Sequence, residues 1–135
     1  MLVSINQRSQ EWNGHNSYAG QLTLTQPEGV DRETWSQQVD EFRQGLQSAY
    51  EAALVAVAQE WVKEHYPEAT VRVNYGEMGN DLRQAEVSVL VQEDPEQLGE
   101  WVGEDENFSE QTSDAVQDWI NEWQAAHPGY TAEPC

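Results

Sequence analysis

The stretch Asp31 to Pro67, DRETWSQQVDEFRQGLQSAYEAALVAVAQEWVKEHYP, decides the fold. Its apolar residues recur at Trp35, Val39, Phe42, Leu46, Ala49/Tyr50, Ala53/Leu54, Val57 and Trp61. Steps of three and four keep one side of an α-helix apolar, so the spacing predicts a single long helix over 31–66. Asp31 is placed to cap the first turn, with Val30 and Trp35 flanking it as a hydrophobic staple. Tyr66-Pro67 ends the helix, because proline cannot continue the backbone hydrogen-bond ladder. The run Ala52 to Ala58 is apolar all round and is expected in the core or against a sheet. Gly45 is a weak point at which the helix is expected to bend or split.

On the N-terminal side, Leu2 to Gln7 and Tyr18 to Gln26 alternate apolar and polar residues and read as strands. They suggest a hairpin over 1–26 with a wide turn around Trp12-Asn13-Gly14-His15-Asn16-Ser17, closed by Pro27-Glu28-Gly29. On the C-terminal side, Thr70 to Tyr75 (Val71, Val73 and Tyr75 inward) and Gln84 to Gln92 (Val87, Val89 and Val91 inward) suggest a second hairpin over 70–92. The segment 76–81 is its glycine-containing loop. Asp94-Pro95 has the chemistry of a helix start, and Leu98, Trp101 and Val102 would give a short helix its apolar edge before Gly103 ends it. A last helix is expected from Phe108 or Ser109 to Ala126. His127-Pro128-Gly129 stops it, leaving 127–135 as a tail. The predicted fold is therefore α+β, one domain over 1–135 in ββα-ββα order. It has a four-stranded, mainly antiparallel sheet, the long helix, and an acidic helical region over 95–126. The long helix would pack through Trp35, Val39, Phe42, Leu46, Leu54, Val57 and Trp61, and the last helix beside it through Val116, Trp119, Ile120 and Trp123.

Charge bounds the function. The chain carries 25 acidic against 6 basic residues, a formal net charge of −19. No Lys or Arg follows Arg83, whereas Gln84 to Cys135 contains 13 carboxylates. A field of that sign repels nucleic acid and anionic membranes and steers the molecule toward basic surfaces. Direct nucleic-acid binding and membrane association are thus not expected. No apolar run approaches a membrane span, and the N-terminus lacks the basic start and apolar run of a secretory signal, so a cytoplasmic protein is expected. The single Cys135 permits no internal disulfide, and its role stays open.

Reactive chemistry has little to stand on. His15, His65 and His127 stand apart, in a turn and at two helix ends, with no partner at metal-ligand spacing. A surface or helix-terminal role suits them, since positive charge is favoured at helix C-termini. Asp105-x-Asn107-x-Ser109 imitates half of a calcium loop but has Glu110 where glycine is required and Val116 where the bidentate Glu belongs. A glycosidase-like carboxylate pair would be an arbitrary choice among so many acids. No phosphate-binding loop, dinucleotide fingerprint or nucleophile motif is present. No enzyme activity, cofactor or metal is expected.

The distinctive pattern is an acidic row at every fourth position: Glu106, Glu110, Asp114, Asp118 and Glu122. On a helix each step advances about 6 Å, and Val116, Trp119, Ile120 and Trp123 fall on the opposite side. Like charges at this spacing cost roughly a few tenths of a kcal/mol per pair. One reading is a solvated face tuned for solubility, and another is halophilic acidity spread over the surface. A third is imitation of one nucleic-acid strand, whose phosphates recur every ~3.4 Å of axis along a winding path. A basic groove built for phosphates would then accept the row instead.

In size, charge and this row, the chain resembles the small acidic inhibitors that phages and plasmids use against restriction, CRISPR or DNA-repair proteins. No family signature accompanies the resemblance. It implies a stoichiometric inhibitor that binds the basic surface of a nucleic-acid-binding protein, as a monomer or small homo-oligomer. The expected contact residues are the five of the row, then Glu100, Glu104 and Asp105, with Trp12 as an aromatic contact in its polar turn. The alternative is an acidic interaction module, such as an immunity protein or adaptor, held by apolar anchors such as Trp12 or Trp101 rather than by mimicry.

Overall fold

The computed structural model describes residues 1–7, 19–75, 87–94 and 96–134, the side chains of Asp105 and Glu106 excepted. Its elements are β1 (Leu2–Gln7), β2 (Leu22–Leu24), α1 (Arg32–His65), β3 (Thr70–Tyr75), β4 (Val87–Gln92), β5 (Glu100–Glu104), α2 (Asp105–Phe108), α3 (Ser113–Ala126) and β6 (Ala132–Pro134). Short 3₁₀ turns run over Ala19–Gln21 and Ser109–Thr112. The fold is a mixed α+β one, with a four-stranded mixed sheet, one long helix and a C-terminal helix.

The long helix is the feature the sequence foretells best. Asp31 caps it: its Oδ1 accepts the backbone N–H of Thr34 at 2.8 Å. Hydrogen bonds from the Thr34 side chain and, next, its backbone hold the Asp31 carboxyl below the ordinary aspartate range. Val39, Phe42, Leu46 and Leu54 are buried, with Trp35, Val57 and Trp61 half-buried. Val55, Ala58 and Val62 join the buried set. Ala52 and Ala56 are exposed, so the apolar run is not buried all round. At Gly45 the helix does not split, and this glycine is a contact point rather than a weakness. A Cβ there would collide with Trp119 Cζ2 and lie 2.9 Å from its Cη2.

The chain forms two compact units, Met1–Ser9 with Glu51–Ser113, and Gln10–Tyr50 with Asp114–Cys135. α1 contributes its second half to the first unit and its first half to the other. The first unit holds the sheet, in the order β3-β1-β4-β5. Neither expected hairpin forms. β1 is an inner strand, parallel to β3 (Leu2 opposite Thr70) and antiparallel to β4 (Leu2 opposite Gln92), so it separates the two strands expected to pair. Alternation marks a strand but not its neighbour. The parallel β1–β3 pair also needs the long crossover that α1 supplies. One sheet face buries Val3, Ile5, Val87 and Val89 completely. The other mixes Leu2, Leu90 and Trp101 with polar residues that bond across strands: Arg72 Nε donates to Ser4 Oγ at 3.0 Å and Asn74 Nδ2 to Asn6 Oδ1 at 2.9 Å.

Two further expectations fail in this unit. Val71 and Tyr75 are 43% and 69% exposed rather than inward, because β3 lies at the edge of the sheet. Residues 100–102, expected in a short helix ended by Gly103, instead belong to β5 on the outer side of β4. Asp94 supports only a turn, its Oδ1 accepting from Glu96 N at 3.0 Å. Leu98 is fully exposed, so the apolar helix edge does not exist. Gly99 then passes so close to Leu90, Val91 and Gln92 that a Cβ would sit 2.7–2.8 Å from their atoms. Such closeness suits a backbone laid against β4. Phe108, completely buried, meets Trp61 edge-on at 5.8 Å.

In the second unit β2 pairs not with β1 but with β6, drawn from the expected tail (Leu22 opposite Pro134, Leu24 opposite Ala132). Thr25 N–H donates to Thr131 O at 2.7 Å and extends this ribbon. Trp35 Nε1 donates to Leu24 O at 2.8 Å and Arg43 Nε to Leu22 O at 2.7 Å, tying β2 to the start of α1.

Candidate acidic interface

The last α-helix begins at Ser113, later than the expected Phe108 or Ser109. Before it, Ser109–Thr112 is wound as a 3₁₀ turn, in which Thr112 Oγ1 donates back to Ser109 O at 2.6 Å. Thr112 is buried, and a back-bonded hydroxyl here competes with α-helical pairing. Three members of the row, Asp114, Asp118 and Glu122, therefore share one continuous helix.

The apolar side of α3 fixes where these three point. Val116 and Ile120 are buried. The rings of Trp119 and Trp123 lie 5.6 Å and 5.1 Å from that of Phe42. Trp123 also stacks on His127 at 3.9 Å and meets Tyr130 edge-on at 5.7 Å. His127 Nδ1 donates to Trp123 O at 2.8 Å, occupying a carbonyl that the helix end leaves unpaired. With that side anchored, Asp114, Asp118 and Glu122 are all exposed, about 6 Å of axis apart. Gln117 and Asn121 flank the row and bond to each other at 3.0 Å. Among the described residues, no cation lies at ion-pair distance from the three carboxylates.

The remaining candidates lie elsewhere. Glu110 is exposed on the 3₁₀ turn. Glu106 and Asp105 belong to α2, and their side chains are outside the described set. Glu100 is exposed at the start of β5. Glu104, at its end, is half-buried and engaged, and its N–H donates to Asn107 Oδ1 at 2.9 Å. Trp12 and Cys135 fall outside the described residues, whereas Trp101 is half-buried on β5 and already engaged. No family model, curated protein or solved structure matches this chain.

Sequence reasoning passed over a second acidic face in the same unit as α3. On the first half of α1, Glu33, Asp40 and Glu41 are exposed, interleaved with exposed Gln37, Gln44 and Ser48. The signal was present, since 33, 37, 40, 41, 44 and 48 fall on one helical side. It was masked because the apolar side of α1 carries the stronger pattern. Among the described residues no group of three or more His, Cys, Asp or Glu could hold a metal ion. No helix is long and apolar enough to cross a membrane, again among the described residues.

Proposed function

We propose that the chain is a stoichiometric inhibitor of a basic nucleic-acid-binding protein, with the acidic face of α3 standing in for a nucleic-acid backbone. The observation that carries this reading is the row Asp114, Asp118 and Glu122, exposed and turned away from an anchored Trp face. Carboxylates carried on an anchored helix suit a Lys/Arg-lined groove better than ones on a mobile segment, because less backbone entropy is lost on docking. The field of a chain at −19 steers it to such a groove, and ions displaced from both surfaces add to the affinity. No bond is made or broken. Inhibition is occupancy of a channel meant for phosphates, the manner of the acidic phage and plasmid inhibitors that act on restriction or CRISPR proteins.

The test uses the full chain, immobilised and exposed to cell extract at about 50 mM salt. Retained proteins are eluted with duplex DNA and identified by mass spectrometry. A nucleic-acid-binding protein released by DNA and lost with D114K/D118K/E122K supports the proposal. Retention that survives the triple reversal, or is indifferent to salt between about 50 and 500 mM, overturns it.

A further inference from the structure

The two edges of the four-stranded sheet are not alike. β5 carries a carboxylate at each end, Glu100 and Glu104, and its pairing with β4 is irregular between Val89 and Leu90. Charge and irregular register are ordinary defences against edge-to-edge association. β3, Thr-Val-Arg-Val-Asn-Tyr, has neither: it pairs in unbroken register with β1 and holds no carboxylate. Its one charge, Arg72, is turned onto Ser4 Oγ.

Among the described residues, the hydrogen-bonding groups of β3 that find no partner follow from its pairing. Thr70 N–H donates to Met1 O at 3.1 Å, with Leu2 opposite Thr70. In a parallel pair, alternate residues bond to the neighbour. Thr70, Arg72 and Asn74 therefore face β1, and the N–H and C=O groups of Val71, Val73 and Tyr75 face outward. The side chains of Val71 and Tyr75 are 43% and 69% exposed beside them.

We propose that this edge pairs with the β3 edge of a second copy of the chain, antiparallel about a two-fold axis at Val73. In that register Val73 faces its own counterpart and Val71 faces Tyr75. Each of these pairs exchanges two hydrogen bonds through the outward-facing groups. The Val71–Tyr75 pairs are the β-branched and aromatic kind that stabilise sheets. Arg72 falls opposite Asn74, so no like charges meet. Within β3 itself no carboxylate opposes the pairing of two strongly acidic copies. The approach of the copies as wholes is still opposed by their net charge, so added salt strengthens association. That dependence is opposite in sign to the binding of a basic partner by α3.

Sedimentation or light scattering of the full chain from about 1 to 200 µM, at low and high salt, tests the proposal. The expected result is a monomer–dimer equilibrium favoured by salt. V73P removes an outward N–H and no bond to β1. It is expected to weaken dimerisation about tenfold or more while leaving the circular dichroism melt unchanged. V71K places a charge on the same edge and gives the same result should V73P fail to fold. A wild-type chain that stays monomeric overturns the proposal and leaves the edge to a strand of another protein. A dimer that both folded variants preserve also overturns it, since association must then use another surface.

Discussion

A methyl group added to a helix glycine normally stabilises, and at Gly45 it is expected to do the reverse. In an open helix, Gly→Ala gains about 1 kcal/mol from reduced backbone entropy. Gly45, however, is where the Trp119 ring rests on α1. The new Cβ would collide with Cζ2 and sit 2.9 Å from Cη2 and 3.5 Å from Cε2. The ring belongs to a cluster with Phe42, whose centroid is 5.6 Å away, and Phe42 also holds Trp123 at 5.1 Å, so it has little room to yield. Overpacking of this kind costs typically ~1–3 kcal/mol, occasionally more. Set against the helix gain, G45A should come out destabilised by up to about 2 kcal/mol. Urea unfolding followed by far-UV circular dichroism measures the difference. A double-mutant cycle with W119L isolates its cause, because in the W119L background the same change should recover the helix gain. If G45A alone stabilises by about 1 kcal/mol, Trp119 does not lie against Gly45 and the packing of α3 on the first half of α1 is wrong.

Other perturbations read other parts of the chain. Because Asp31 has a depressed carboxyl pKa in the folded state, its contribution to stability is present above its ordinary value of 3.8 and is lost as pH falls through the folded value. The stability gap between wild type and D31A, followed by urea midpoints from about pH 6 to 2.5, should therefore close on acidification. D31N, which still caps, should show a smaller gap at about pH 6. H127A removes the Nδ1 bond to Trp123 O and the 3.9 Å stack on Trp123, and should cost about 1–2 kcal/mol in the melt. Tryptophan emission should change as well, whereas an unaltered melt and spectrum would contradict the stacked geometry.

What the sequence disclosed and what it withheld divide along the range of the interactions. α1 was legible because caps, periodicity and stop signals act within a few residues: Asp31 reaches Thr34, and Pro67 lies just past His65. The apolar side of α3 was legible for the same reason. Strand partners were not, since β1 pairs with β3 and β4 far along the chain and nothing in the alternation of Leu2 to Gln7 names them. β5 was missed because Asp94-Pro95 resembles a helix start, and the decisive constraint is the room beside Gly99, a tertiary fact. For the acidic row, spacing correctly put Asp114, Asp118 and Glu122 opposite the Trp side. It could not foresee that Thr112 would be buried with its hydroxyl turned back on Ser109, where the helix changes winding below Asp114.

The position of β1 has a consequence for how the protein is made. This inner strand leaves the ribosome before either of its neighbours exists. At bacterial or eukaryotic rates, synthesis from Gln7 to Tyr75 takes on the order of 3–14 s, and β4 comes later still. Throughout that interval Val3 and Ile5, completely buried in the finished fold, have no sheet to enter. The second unit waits in the same way, because β2 is completed by β6, which is translated after the other elements of that unit. A nascent chain of this design can form α1 early but closes neither unit until its later segments emerge. A stalled or truncated product ending before Thr70 would present a bare β-strand and an apolar helix face to the chaperones and proteases of the cell.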